Sequence, residues 1–187
     1  MKLKYTLPSN SEEITLQQYI KYEQIITDEN FDDTFKIYRT VELFTGIQYD
    51  HIKHLKQSEL DSILNHLKPL LNPSVQLNKT FKYKGIKYGL IPNFSRDLKT
   101  GEFIDLDIYT ENKKWLEVMS ILYRPITFER KGQYQIEPYM SSHTDFKDLP
   151  FTYFIGVAAF FLTLLNQLAQ LTQRYTDQEI QKLMILV

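Results

Sequence analysis

The stretch from Leu149 to Gln173 reads LPFTYFIGVAAFFLTLLNQLAQLTQ and contains no charged residue. Its first part, residues 151–165, is apolar apart from two threonines and one glycine, and a membrane span needs about 20 mostly apolar residues. Beyond it, polar residues recur on one side at helical spacing, namely Thr163, Asn166, Gln167, Gln170 and Gln173. This stripe predicts a core helix with one side in water. A membrane helix over 151–171 and a helix whose apolar face binds a partner stay open as alternatives.

Upstream of this stretch, two segments predict short β-hairpins. Residues 81–88 read FKYKGIKY, with a turn near Lys84-Gly85, and residues 126–140 are expected to form a second strand-turn-strand segment around Lys131-Gly132. Basic and aromatic residues interleave along the first hairpin: Lys79, Lys82, Lys84 and Lys87 with Phe81, Tyr83 and Tyr88. The alternation favours a solvated edge strand with its aromatic side chains turned inward. A nucleic-acid-binding hairpin over 79–88 is the alternative, because basic residues and aromatic rings hold single strands.

Helix signals dominate the first half of the chain. Thr15 and Gln18 form a capping-box pattern, which predicts a helix over about 16–27. The next helix is expected over about 31–45, capped by Asn30 and ended by Gly46 in the left-handed conformation. A third helix is predicted to start at Ser58 and to end at two prolines, Pro69 and Pro73.

Further helices and one strand complete the expected set. Helices are predicted over 100–110 and about 113–123, with Arg124-Pro125 stopping the second. Asp148 or a neighbouring residue is expected to cap the core helix, Thr176 to cap a final helix, and residues 2–7 to form a short strand. These patterns predict an α+β fold, mainly α-helical, with short β-hairpins.

Two segments of the chain align as an internal repeat. Residues 14–21 can be laid over residues 98–105, and each follows a predicted strand and precedes a second helix. The pattern indicates a duplicated strand-helix-helix unit. Chance alignment in a chain rich in Ile, Leu and aromatic residues is the alternative. The corresponding organisation is an N-terminal unit over 1–75 and a second unit over 76–187, packed as one compact domain.

Composition restricts the chemistry that the chain could carry. Its 187 residues include no Cys, which excludes disulfides and thiol catalysis, and only 6 Gly. Lys and Arg total 22 against 23 Asp and Glu, so no strong net charge attracts nucleic acid or anionic lipid. Phosphate-loop, dinucleotide-binding and zinc-finger patterns are missing from the sequence. We therefore expect a non-enzymatic protein without a cofactor, metal site or small-molecule substrate.

Three groups of polar residues are candidate sites. His51 and His54 are spaced as metal ligands on one helix side but are interpreted as solvated histidines. His143 lies in a Ser/Thr-rich loop and is interpreted as a loop residue. The acidic cluster at Glu102, Asp105, Asp107 and Glu111 is attributed to the helix dipole, which favours acidic residues near a helix N-terminus.

The C-terminal third supplies the predicted contact surface. The chain printed here closes on Leu183-Met184-Ile185-Leu186-Val187, and leaving these side chains in water would forgo about 1.5–3 kcal/mol each. We expect them to dock on this chain or on a neighbour, so that deleting them destroys solubility or assembly. The candidate protein interface consists of Phe151, Phe154, Phe160, Phe161, Leu183, Met184, Leu186 and Val187.

Several short motifs together resemble small proteins that tailed bacteriophages encode among their virion-assembly genes. In the first half they are Ile14-Thr15-Leu16-Gln17-Gln18-Tyr19, Leu43-Phe44-Thr45-Gly46-Ile47 and Ser58-Glu59-Leu60-Asp61, which resemble the tail assembly chaperone type. In the second half they are the segments 100–106, 121–125 and 156–161, which resemble uncharacterised phage proteins of similar length.

This resemblance implies a function by protein–protein contact. It carries no catalytic residues, and it implies a structural connector, a tail component or a tail-assembly-chaperone-like factor. The implied partners are other virion or tail proteins in an oligomeric assembly, located in the virion or the host cytoplasm. The chain departs from the simplest chaperones, which are shorter and have one unit.

Overall fold

The computed structural model describes residues 4–74, 76–140 and 144–161, without the side chains of residues 95 and 96. A 3-10 turn over Ser11–Glu13 comes before the first helix. The regular elements are α1 (Leu16–Thr27), α2 (Asp33–Thr45), α3 (Tyr49–Ile52), α4 (Gln57–Leu71), β1 (Thr80–Tyr83), β2 (Ile86–Leu90), α5 (Phe94–Asp97), α6 (Thr100–Glu111), α7 (Trp115–Leu122), β3 (Tyr123–Arg130), β4 (Gln133–Ile136) and helical backbone over 151–161, called α8. The predicted mainly helical α+β class is confirmed.

Local capping explains where the first two helices begin and end. The Thr15 hydroxyl accepts from the Gln18 amide, and the Gln18 side chain accepts from the Thr15 amide at 3.0 Å. The predicted capping box of α1 is thus confirmed. Gly46 has a φ of 73° and ends α2 in the predicted left-handed conformation. The cap of α2 is Asp32 and not Asn30, because the Asp32 carboxylate accepts from the Phe35 amide at 2.8 Å.

Three predicted boundaries are wrong. Lys4–Leu7, the described part of the predicted 2–7 strand, forms no strand. Pro69 lies inside α4, because burial of Leu67 and Leu71 outweighs the hydrogen bond that a proline removes. Of the residues expected to cap α8, Asp148 lies too early in the chain, because the helix begins at residue 151.

The four strands form one antiparallel sheet in the order β1-β2-β3-β4. Both predicted hairpin turns are confirmed, since Gly85 and Gly132 have φ values of 82° and 76°. β1 lies at an edge, and Phe81, Tyr83 and Tyr88 face the core with at most 9% exposure. Their rings surround Phe146, whose centroid lies 5.1 Å from that of Tyr88. The aromatic rings of the 79–88 hairpin therefore cannot stack on bases.

The first half of the chain is bound to the segment that enters α8. The Leu16 amide donates to the Leu149 carbonyl at 2.7 Å, and the Phe151 amide donates to the Ile14 carbonyl at 3.0 Å. Thr15 and Pro150 form an antiparallel bridge between these segments. Buried side chains from α1, α2, α4, the sheet and α8 form one hydrophobic core. Within the described residues, no helix is long and apolar enough to cross a membrane.

The proposed duplication matches in its two pairs of helices, α1–α2 and α6–α7, and in the capping at the start of each pair. At the aligned positions, the Thr15 amide donates to Gln18 and the Lys99 amide donates to Glu102 at 2.7 Å. The Lys56 amide makes the same contact at the start of α4, so this feature follows from local helix capping. The strand that should precede α1 is missing from the described residues 4–7.

Gly156 is required by a close approach of α8 to the segment before β1. A Cβ atom at this position would lie 2.7 Å from the Gln76 carbonyl oxygen. We expect Gly156→Ala to lower the free energy of unfolding by about 1–3 kcal/mol, because backbone must move to relieve the overlap. Denaturant unfolding measures the change. Gly101→Ala is the control, since a Cβ at this helical position meets nothing within 4 Å; equal losses in both variants would contradict the close approach.

Candidate protein-contact surface

Phe151 and Phe154 are core residues, so their assignment to a protein interface is wrong. Phe151 is 0% exposed, and its ring stacks on Tyr19 with 4.5 Å between centroids. Phe154 is 6% exposed and lies against Tyr19 and Trp115. Phe151 faces α1 and Phe154 faces α1 and α7, so the chain's own helices exclude any partner from both side chains.

The other predicted interface residues fall into two groups. Phe160 and Phe161 are half-buried and pack on Phe94 of α5, with centroids 5.7 and 5.0 Å away. Leu183, Met184, Leu186 and Val187 lie outside the described residues.

A surface that the sequence prediction missed lies on α6. Phe103, Ile104 and Ile108 are 61%, 50% and 46% exposed. We call these three side chains the α6 face. At 100° per residue they lie on one half of the helix, with the exposed acids Asp107 and Glu111 among them. Large apolar side chains grouped on a surface are typical of a contact site for another protein.

A buried ion pair fixes the opposite side of α6 to the sheet. Glu102 is 0% exposed, and its carboxylate lies 2.6 Å from the Arg124 guanidinium of β3. The same carboxylate accepts from the Lys99 amide. The prediction that Glu102 is an ordinary acidic residue of a helix start is therefore incomplete, because this side chain also has a tertiary cationic partner. The ion pair determines which side of α6 faces outward.

Asp105 provides the second polar anchor of α6, by accepting a hydrogen bond from the Tyr139 hydroxyl. Burial, followed by this hydrogen bond, raises the pKa of Tyr139. Neighbouring Met140 is 69% exposed. The Tyr139 contact therefore places another exposed apolar side chain in the segment that lies against α6.

Replacing Tyr139 tests this anchor. We expect Tyr139→Phe to lower the free energy of unfolding by about 1 kcal/mol at neutral pH, through loss of the hydrogen bond. A raised pKa in the folded state gives stability that is present below about pH 10, the unfolded value, and is lost above it. The gap between wild type and variant should therefore narrow as pH rises above about 10. Denaturant unfolding at neutral and alkaline pH measures it, and a gap that widens would contradict the assignment.

An open groove lies beside the β3–β4 hairpin. It has a volume of about 700 Å³, and its lining includes Lys79, Arg130 and Lys131 but no acidic residue. Phe128, which is 54% exposed, also lines it. We call this feature the basic groove. Its position differs from that of the predicted basic hairpin, because Lys79 is the one lysine of the 79–88 set that lines it.

The histidines do not form a metal cluster within the described residues. His51 and His54 are exposed, and His66 contacts the Pro8 carbonyl through Nε2 at 2.8 Å. His143 lies outside the described residues.

The chain matches no known family model, no curated protein and no solved structure.

Proposed function

We propose that this chain is a non-enzymatic protein of tailed-bacteriophage virion morphogenesis that works by protein–protein contact. It acts as a structural connector, a tail component or a tail-assembly-chaperone-like factor, in the virion or the host cytoplasm. The phage assignment rests on the short motifs of the two halves, and the mode of action rests on the α6 face. Its partners are other virion or tail proteins, in an oligomeric assembly.

The α6 face supports this proposal because leaving its apolar side chains in water is unfavourable. Burying a side chain such as Phe or Ile is worth about 1.5–3 kcal/mol relative to leaving it in water. Three such side chains lie together, all at least 46% exposed, while the reverse side of the same helix is held by Glu102 and Asp105. A helix face of this kind suits recognition in an apolar groove of a partner.

Complementation of a gene deletion tests the proposal in the phage genome that encodes the chain. We expect the deletion to abolish infectious particles and the wild-type gene to restore them. Ile104→Lys should fail to restore them, because it places a positive charge in the α6 face. Ile86→Lys is the matched control, since Ile86 is 48% exposed at the start of β2 and does not belong to α6.

Mass spectrometry of purified particles then distinguishes the two forms of the proposal. Stoichiometric presence supports a connector or tail component, and presence in infected cells alone supports a chaperone. A deletion that yields normal numbers of infectious particles would overturn the proposal in both forms.

A further inference from the structure

We infer that the partner of the α6 face is the basic groove of a second copy of this chain, so that copies associate head to tail. This inference rests on the proposed function and names one partner within it. It follows from two surfaces that the structure leaves exposed on the same chain and that differ in charge.

The α6 face is apolar, and two acidic residues lie among its three side chains. Phe103, Ile104 and Ile108 supply the apolar area, while Asp107 and Glu111 are the charged residues on the same half of the helix. Among the described residues, neither acid forms an ion pair. Glu111 is also the last residue of α6, where the helix dipole disfavours a carboxylate. A cationic partner would relieve that unfavourable interaction.

The basic groove has the opposite character. Lys79, Arg130 and Lys131 are exposed and form no ion pair within the described part of the chain. Phe128 supplies an exposed aromatic ring for contact with apolar side chains. With a volume of about 700 Å³, the groove has room for several side chains of one helix face.

Charge selects the head-to-tail arrangement over a symmetric pair. Two α6 faces in contact would oppose Asp107 and Glu111 to the same acids, and two basic grooves would oppose three cations to three cations. Like charges across an interface are strongly unfavourable, whereas the α6 face against the basic groove pairs acids with bases. In a head-to-tail pair, one α6 face and one basic groove remain unoccupied. Further copies can bind to these two surfaces, so the assembly grows into a ring or a filament.

Sedimentation velocity of the full-length protein over a range of concentrations tests the inference. We expect species heavier than the 22.3 kDa monomer, which dissociate as salt is added because the contact is partly electrostatic. Asp107→Lys with Glu111→Lys, or Arg130→Glu with Lys131→Glu, should each weaken self-association by at least about tenfold. Circular dichroism checks that both variants keep the wild-type helix content, as expected for exposed residues.

Mixing the two charge-reversed variants is the decisive step. In the Asp107→Lys, Glu111→Lys variant both surfaces are basic, and in the Arg130→Glu, Lys131→Glu variant both are acidic. In the mixture, the α6 face of one variant can therefore bind the oppositely charged groove of the other. We therefore expect the mixture to recover the heavy species. Recovery supports a contact between two different surfaces, and a mixture that stays monomeric overturns it.

Three further results would overturn the inference. The first is a wild-type protein that stays monomeric at every concentration, and the second is a heavy species that neither charge reversal affects. The third is salt-sensitive binding of single-stranded DNA that is lost in the Arg130→Glu, Lys131→Glu variant, while the sedimentation of this variant stays that of wild type. The last result would make the groove a nucleic-acid site. A monomeric protein that particle assembly still requires would refute self-association alone, whereas an oligomer that assembly does not require would refute the proposed function.

Discussion

Phe151→Ala is expected to lower the free energy of unfolding by about 3–5 kcal/mol, which is the usual cost of removing a buried phenylalanine ring. The ring is fully buried and stacks on Tyr19, so its removal leaves a cavity between α8 and α1. Native domains are stable by only about 5–15 kcal/mol, so the variant should lie near the limit of folding. Urea unfolding measures the loss as a lower midpoint at an unchanged slope.

Phe103→Ala is the control for this prediction. Phe103 is 61% exposed on the α6 face, so its truncation should change stability by no more than about 0.5 kcal/mol. The same chemical change then separates a core role from a contact role. If Phe151→Ala were as stable as Phe103→Ala, the assignment of Phe151 to the core would be contradicted.

Arg124→Met is the second substitution with a large expected effect. It leaves the Glu102 carboxylate buried without its cation, and breaking a buried ion pair in this way typically costs about 3–5 kcal/mol. Chemical denaturation at neutral pH measures the loss.

The double variant Arg124→Met, Glu102→Leu separates the ion pair from the packing of its side chains. Apolar residues often replace a buried pair without loss, and here Arg124 Nε has no hydrogen-bond partner in the described structure. We therefore expect the double variant to recover most of the stability. Arg39→Met is a surface control, since the exposed Arg39–Glu42 pair should contribute at most about 1 kcal/mol. A double variant less stable than Arg124→Met would contradict the argument.

Much of the secondary structure could be predicted because its causes are local. The Thr15–Gln18 capping box, the left-handed Gly46 and the two glycine turns of the hairpins each depend on a few adjacent residues. Pro69 shows where local rules failed. A proline usually ends a helix, but α4 continues to Leu71 because its leucines are buried by the rest of the molecule.

The candidate contact surface was harder to predict. In α6 apolar residues occur on all sides, so periodicity does not identify the side that faces the core. The contact between Glu102 and Arg124, 22 positions apart, determines it. Conversely, the described part of the predicted core helix, residues 151–161, is helical and contributes buried side chains. The assignment of Phe151 and Phe154 to an interface was wrong because a core helix uses these rings internally.

The sequence by itself determined the fold class, most helix and turn positions, and the aromatic inner side of the β1–β2 hairpin, because capping, turn geometry and strand alternation act over a few residues. Only the tertiary structure decided which side of α6 is exposed, why Gly156 has no side chain, and that Lys79, Arg130 and Lys131 share one groove. Each of these depends on groups far apart along the chain. Their distances are fixed only when the core around Phe146 and Phe151 is packed.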